Sequence, residues 1–251
     1  MVKVGISTSA GKASHWIDWV VGTDVEAVEI NLMTSGFPLV PQYVTDYASR
    51  LNSYDVSVHS RSDGFSDDLP YGPFQRERLL VELDIARDLG ANELVVHPPW
   101  FHGMDKLKRN ASKVLKQAIE RARAYGVELL FENTNKGPFK DPEKLLELFR
   151  AFPEAYMCLD VGHMHVSQQS TEKEMKMIDA LKERIVYLHV HDNDGSRDQH
   201  LELGTCNGTG VRYEKLLRYI QKRCNLKKAI SEVHEISGTK RTAKKLERIL
   251  R

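Results

Sequence analysis

Eight short runs of β-branched and apolar residues recur along the chain: Lys3 to Thr8, Ala27 to Leu32, Val56 to Ser60, Glu93 to His97, Val127 to Asn133, Met157 to Val161, Ile185 to His191 and Lys228 to His234. Between them lie longer polar stretches with helical spacing. Leu79, Leu83, Ala86 and Leu89 form one such series, Val114, Ala118, Ala122 and Tyr125 a second, and Ala243, Leu246 and Ile249 a third. Each series puts one apolar face of an amphipathic helix inward. Glycines stand directly before a strand in Asp88-Leu89-Gly90-Ala91 and Ala124-Tyr125-Gly126-Val127, as a left-handed C-cap in a helix-to-strand loop requires. The period is strand, loop, helix, turn. Eight units in 251 residues give roughly 31 residues each, the length of a βα repeat in a closed barrel of roughly 250 residues. An open doubly wound sheet alternates in the same way, but no Gly-x-Gly-x-x-Gly or Walker sequence marks a switch point. The predicted fold is α/β, a single (β/α)8 barrel over residues 1–251, with no linker or low-complexity tract to mark a second domain.

Composition narrows the function classes. Lys+Arg number 36 against Asp+Glu 35, a net charge of +1, so no partner is held by bulk charge alone, and DNA is not indicated. Hydrophobic residues make up 41% of the chain, and no run approaches the roughly 18 apolar residues of a membrane helix, so no membrane partner is expected. Cys158, Cys206 and Cys224 are odd in number, far apart and free of Cys-x-x-Cys spacing, which gives neither a disulfide framework nor a zinc ribbon. Met1-Val2-Lys3-Val4-Gly5-Ile6 enters a strand-like pattern at once, without the regions of a secretion signal, and a cytoplasmic protein is expected. Nothing indicates a protein partner.

All ten histidines fall in a predicted strand or the segment just after one. Parallel barrel strands end together and aim their last side chains at one basin on the C-terminal face, where the active sites of such barrels lie. Glu132, Asp160, His191 and Glu232 come from strands five to eight and supply one complete metal site. His59 and His97 add donors from strands three and four, and His163, Asp198 and His200 form a third cluster near the loop after strand seven. Imidazole and carboxylate suit a borderline divalent metal, zinc first and manganese as the other choice. Nine candidates allow two or three ions, with a bridging carboxylate damping the repulsion between them. His15, His102, His165, His189 and His234 are read as hydrogen-bonded packing residues. Trp16 and Trp19 are read as core contacts, and Trp100 and Phe101 as loop packing or an apolar wall of the site. The stretch from Lys222 to Arg251 carries ten Lys/Arg against three Glu and is read as the solvated face of the last outer helix.

At these residues the chain resembles the xylose isomerase-like TIM-barrel superfamily, which includes the endonuclease IV (AP endonuclease family 2) proteins and many sugar isomerases and epimerases. The resemblance is carried by the strand ends at His59 and His97, Phe131-Glu132-Asn133-Thr134, Leu159-Asp160-Val161-Gly162-His163, His191-Asp192-Asn193-Asp194, Asp198-Gln199-His200-Leu201-Glu202-Leu203-Gly204, and Ser231-Glu232. In the endonuclease IV branch it implies a first metal on His59, His97 and Glu132, a second on Glu132, Asp160, His191 and Glu232, and a third on His163, Asp198 and His200. The implied chemistry is phosphodiester hydrolysis, with abasic-site DNA as one substrate and Glu132 and Glu232 organising the nucleophile. In the isomerase and epimerase branch it implies one metal on Glu132, Asp160, His191 and Glu232. The two glutamates then move protons beside a carbonyl, and His163 and Arg197 hold oxygens of a small sugar or sugar phosphate.

The leading expectation is the multi-metal hydrolase, because His59, His97, Asp198 and His200 are all present; the alternative is the isomerase or epimerase. Two features of the chain depart from the endonuclease branch. Leu203-Gly204-Thr205-Cys206-Asn207-Gly208 stands where Gly-Glu-Gly is usual, and Ser60-Arg61-Ser62-Asp63-Gly64-Phe65 lacks a wedge for probing stacked DNA.

Overall fold

The computed structural model describes residues 1–10, 16–32, 41–61, 73–98, 110–206 and 208–251. Eight parallel strands, β1 (Lys3–Ser7), β2 (Ala27–Asn31), β3 (Asp55–His59), β4 (Glu93–Val96), β5 (Glu128–Glu132), β6 (Tyr156–Asp160), β7 (Ile185–Val190) and β8 (Lys228–Ser231), pair in chain order. The barrel closes where β1 meets β8, with Lys3 opposite Lys228 and Ile6 opposite Ser231. Nine helices accompany them among the described residues: α1 (Trp16–Val20), α2 (Pro41–Arg50), α3 (Pro73–Asp88), α4 (Asn110–Tyr125), α5 (Pro142–Ala151), α6 (Val161–Gln168), α7 (Thr171–Leu181), α8 (Tyr213–Arg223) and α9 (Ile236–Leu250). The (β/α)8 barrel expected from the sequence is the fold observed. Between β6 and β7 the chain builds two helices where the period suggested one.

Gly90 and Gly126 take positive φ, 68° and 72°, in the C-cap role their spacing predicted. The main core lies between barrel and helices. It takes in Leu79, Leu83, Ala86, Leu89, Val114, Ala118 and Ala122 from the two predicted faces, and Ala243, Leu246 and Ile249 from α9. Trp19 packs against this core. The basic C-terminal stretch is only in part the outer face of α9, where Arg241 and Lys245 pair with Glu202 and Arg251 with Glu26; Lys222 and Arg223 end α8, and Lys228 is buried at the start of β8. Trp16's side chain, His15, Trp100, Phe101 and His102 lie outside the described residues, as do most of the loops after β1 to β4.

Inside the barrel, alternate residues of each strand stack in layers, as period-two geometry dictates. The middle layer is a small apolar cluster that includes Ala27, Val95, Leu130, Cys158, Tyr187 and Ile230. Gly5 belongs at this level because a Cβ there would sit 2.2 Å from the Ala27 carbonyl oxygen and 2.7 Å from Ile230 Cδ1. Below it, buried Lys228 bridges Asp55 (2.6 Å) and Glu93 (2.6 Å) at the N-terminal end. Above it stand the imidazoles and carboxylates.

Candidate metal centre

Six of the nine candidates reach the C-terminal face because they end, or immediately follow, a strand. His59 closes β3, Glu132 closes β5 and Asp160 closes β6, while His97, His191 and Glu232 come one residue or so after β4, β7 and β8. Glu132 is the hub. Its Oε2 lies 3.1 Å from His59 Nε2 and 2.8 Å from His97 Nε2; its Oε1 lies 3.0 Å from His189 Nδ1 and 3.5 Å from His163 Nδ1. Asp160 is both a candidate ligand and the N-cap of α6, accepting the backbone N–H of His163 at 2.7 Å. That cap starts a helix one residue past the strand and sets His163 over the basin, with Nδ1 donating to the Asn133 carbonyl (2.9 Å) and Nε2 3.0 Å from Asp198. His200, in the loop after β7, meets the same Asp198 oxygen at 3.1 Å and is anchored through Nδ1 on the Glu232 carbonyl at 2.7 Å.

All nine sequence-derived candidates, His59, His97, Glu132, Asp160, His163, His191, Asp198, His200 and Glu232, thus meet in one contiguous cluster. Three sets have donor atoms within 4.8 Å of one another: His163, His191, Asp198 and His200; His59, Glu132 and His189; and Glu132, Asp160, His189 and Glu232. The grouping differs from the expected one: His97 meets Glu132 but falls in none of the three sets, His189 stands in both glutamate sets where His97 and His191 were expected, and His191 joins His163, Asp198 and His200. His189 on β7 and His191 just past its end are two apart, so both face inward, but His189 sits one layer deeper, among the glutamates, and His191 stacks on His200 with ring centroids 4.0 Å apart.

The donor set fits a divalent cation. Asp160 Oδ2, both ring nitrogens of His191 and Asp198 Oδ1 are buried with no hydrogen-bond partner among the described residues. Such atoms are costly to leave unpaired. His191 Nε2 approaches Asp160 Oδ1 to 3.2 Å and Asp198 Oδ1 to 3.4 Å without forming a well-aligned hydrogen bond. Burial opposes ionisation throughout, yet the histidines around Glu132 hold its carboxyl well below the usual range. Burial likewise works against the imidazoliums of His59 and His200, but contact with Glu132 and Asp198 raises each to about 9. Protons on these imidazoles balance the carboxylates, and a bound cation would displace them, so metal uptake releases protons.

A family model described as the xylose isomerase-like TIM barrel matches residues 17–235. The chain belongs to that family. Among curated proteins it is similar to two uncharacterized proteins of Methanocaldococcus jannaschii. One, MJ1311, is 29% identical over 187 residues, covering 67% of this chain and 62% of the relative; the other, MJ1614, is 29% identical over 143 residues, covering 51% and 54%. The matched part of the chain therefore spans less than two thirds of either relative. Among solved structures, a D-tagatose 3-epimerase-like protein superposes with a TM-score of 0.83 at 19% identity, covering 99% of this chain and 97% of the other. An L-ribulose 3-epimerase gives 0.72 at 16%, covering 100% and 88%. The TTHB071 protein of Thermus thermophilus, soaked with zinc chloride, gives 0.67 at 24%, covering 99% and 97%. At these identities the likeness shows the fold alone.

In this xylose isomerase-like barrel seven of the nine candidates, all but Asp160 and His191, line a cavity of about 460 Å³, together with Asn31, Thr134, Asn135, Lys136 and His234 among others. No helix among the described residues is long and apolar enough to cross a membrane. Four contributors were not legible in the sequence. His189, read as packing, stands in two of the three donor sets. Glu29 on β2 is buried beneath the site. His234, read as packing, stacks on His200 at 4.2 Å and is pushed down to about 4 by burial and the neighbouring imidazole. Asp192 accepts the backbone N–H groups of Asn193, Gly204, Cys206 and Val211, which shapes the loop that carries Asp198 and His200. The run Asp192-Asn193-Asp194-Gly195 signals a turn, but its four-fold backbone contacts join residues too distant in sequence to be read from it.

Gly162 exposes the tightest tolerance of the site. A Cβ there would lie 2.0 Å from His191 Cε1, so Gly162→Ala must push the imidazole aside. Metal affinity is expected to fall about 10- to 100-fold, the range seen when the support of a ligand is disturbed. Equilibrium dialysis against zinc or manganese checks this, and unchanged affinity would remove His191 from the ligand set.

Proposed function

We propose that this protein is a divalent-metal-dependent sugar isomerase or epimerase in which Glu132 and Glu232 exchange a proton with a substrate carbon beside a carbonyl. The observation that carries the reading is the convergence of Glu132 and Glu232 with Asp160 and His189, donor atoms within 4.8 Å of one another, with both glutamates lining a cavity large enough for a monosaccharide. The epimerase names of the structural neighbours support this arm over phosphodiester hydrolysis. Glu132, Asp160, His191 and Glu232 would hold zinc or manganese, whose charge would stabilise negative charge developing on the substrate oxygens.

Burial works against the charge, but the surrounding imidazoles outweigh it and keep Glu132 ionised and able to accept a proton. Glu232 lies on the cavity wall and comes from a strand that is not a neighbour of β5. A substrate between them can lose a proton to one carboxylate and gain one from the other, which inverts the carbon. His163 and Arg197 would hold substrate oxygens, and Thr134, Asn135 and Lys136 offer donors for hydroxyls along the wall. A small sugar is the partner this site suits.

Phosphodiester hydrolysis stays as a second reading on one observation: His59 and His97 on Glu132, with the His163, Asp198 and His200 set, supply more donors than one ion needs. The deciding experiment incubates the metal-loaded protein with D-tagatose, D-fructose or L-ribulose in deuterium oxide and follows product and solvent exchange by NMR. Parallel arms assay an abasic-site duplex and measure metal per chain by elemental analysis. Deuterium at the carbon beside the carbonyl, with an epimeric or isomeric product, is the expected result. Incision of the duplex with no exchange into any ketose would overturn the proposal.

A further inference from the structure

Beneath the two glutamates the barrel interior holds a charged pair that the proposed proton transfer does not itself use. His189 on β7 and Glu29 on β2 are both fully buried and meet across the barrel, Nε2 to Oε2 at 2.7 Å. The same Glu29 oxygen accepts the hydroxyl of Tyr187 at 2.9 Å, and that hydroxyl is 2.7 Å from Ser57 Oγ. On its other side the His189 ring turns Nδ1 to Glu132 Oε1 at 3.0 Å and to Glu232 Oε2 at 3.4 Å. One imidazole therefore touches both members of the proposed acid-base pair and is itself held by a third carboxylate.

A carboxylate with no access to solvent is costly to keep. Glu29 is absent from the cavity lining, its second oxygen has no partner among the described residues, and its one close ionic contact is His189. The apolar layer below and the glutamates above leave it nothing else to serve. Both ring nitrogens of His189 face carboxylate oxygens, which only accept, so the ring donates on both sides. That fixes its plane and, through it, the orientation of Glu132 Oε1. Oε2 is left to His59, His97 and the cavity.

A competing role exists for the same geometry. A histidine whose far nitrogen donates to a carboxylate is a common arrangement for a metal ligand. The donor inventory favours positioning here: His191 has both ring nitrogens buried without partners, whereas both nitrogens of His189 are already engaged.

We propose that Glu29 and His189 form a positioning pair that holds Glu132 and Glu232 in register for proton transfer, a role that rests on the isomerase or epimerase reading above. The test compares Glu29→Gln and Glu29→Asp, which retain a polar group in place, with His189→Gln. Each is measured for metal per chain, for KM and kcat of ketose proton exchange, and for histidine ring N–H signals in ¹⁵N-histidine-labelled protein. The expected result is that all three variants keep the metal content of the parent. Glu29→Gln should lose about 10- to 100-fold in kcat with KM within about twofold, Glu29→Asp should recover part of the loss, and one ring with two exchange-protected N–H groups should disappear in Glu29→Gln. Loss of an ion from His189→Gln would make His189 a ligand and overturn the proposal, and so would an unchanged kcat in Glu29→Gln. If the parent protein exchanges no ketose proton, the function reading fails separately. Metal content and the ring N–H signals then still decide whether His189 is a ligand or a residue held by Glu29 against the glutamates.

Discussion

Glu132→Gln is expected to lower proton exchange by about 10²- to 10⁴-fold, the contribution of a positioned general base, and with the loss of a metal-binding carboxylate the total should reach the floor of the assay. The change is nearly isosteric, so the barrel should fold. What disappears is charge: an amide neither takes a proton from carbon nor balances the imidazoles of His59, His97 and His189 that meet this side chain at 2.8 to 3.1 Å. With Glu132 neutral, His59 and His189 lose the contact that favours their protonated forms, His59 in particular, whose rise to about 9 depends on Glu132 overcoming burial. Exchange of deuterium from solvent and metal per chain are the two measurements. Turnover at the parent's rate would remove Glu132 from the mechanism, whichever reaction the protein runs.

The second large effect lies at the opposite end of the barrel and concerns stability alone. Lys228→Met is expected to cost about 3–5 kcal/mol, the usual consequence of removing one partner of a buried ion pair. The Lys228 ammonium is enclosed between Asp55 and Glu93, at 2.6 Å from each. Burial raises Glu93 despite that contact. Burial also acts to raise Asp55, but Lys228, Lys3 and Asn92 together bring it down from its ordinary 3.8 to about 2. The sign follows for the parent protein. Asp55 contributes stability above its unfolded pKa, and that contribution is lost as pH falls from about 4 toward 2, while Glu93, raised on folding, works in the opposite sense. In the methionine variant Glu93 loses its buried counter-ion and favours the neutral acid, while Asp55 keeps Lys3 and Asn92. The deficit relative to the parent should therefore shrink between neutral pH and about pH 5, where the stranded Glu93 carboxylate takes up a proton. Urea unfolding of both proteins at the two pH values reads this directly. A loss below about 1 kcal/mol with no pH dependence would show that solvent reaches the N-terminal end and pairs these groups.

Much of this architecture is legible in one dimension because its signals are local. Eight apolar runs, the helical periods between them and the glycine C-caps at Gly90 and Gly126 each depend on neighbours a few residues away, and the closed barrel follows from repeating them. The ligand-bearing strand ends are equally local: Phe131-Glu132-Asn133 or Leu159-Asp160-Val161 places a carboxylate after an apolar run, where the strand must stop burying side chains. His163 was visible as a donor, but its place on α6 was not, since that helix starts on Asp160, a side chain that also stands in the ligand cluster.

Residues Ala27-x-Glu29, Tyr187-x-His189-x-His191 and Lys228-x-Ile230-x-Glu232 show why the remainder was hidden. Period two states that these side chains face inward, and composition states which are ionisable. The barrel, the face on which its histidines and carboxylates gather, and nine members of the candidate cluster can thus be read along the chain. Height along the barrel axis depends on the stagger between strands far apart in the chain, which no local pattern encodes. The packing of strands around the barrel places His189 under the glutamates and against Glu29, lifts His191 to stack on His200, and walls in Lys228 between Asp55 and Glu93. A buried charge takes its meaning from its partner, and here each partner comes from another strand of the barrel.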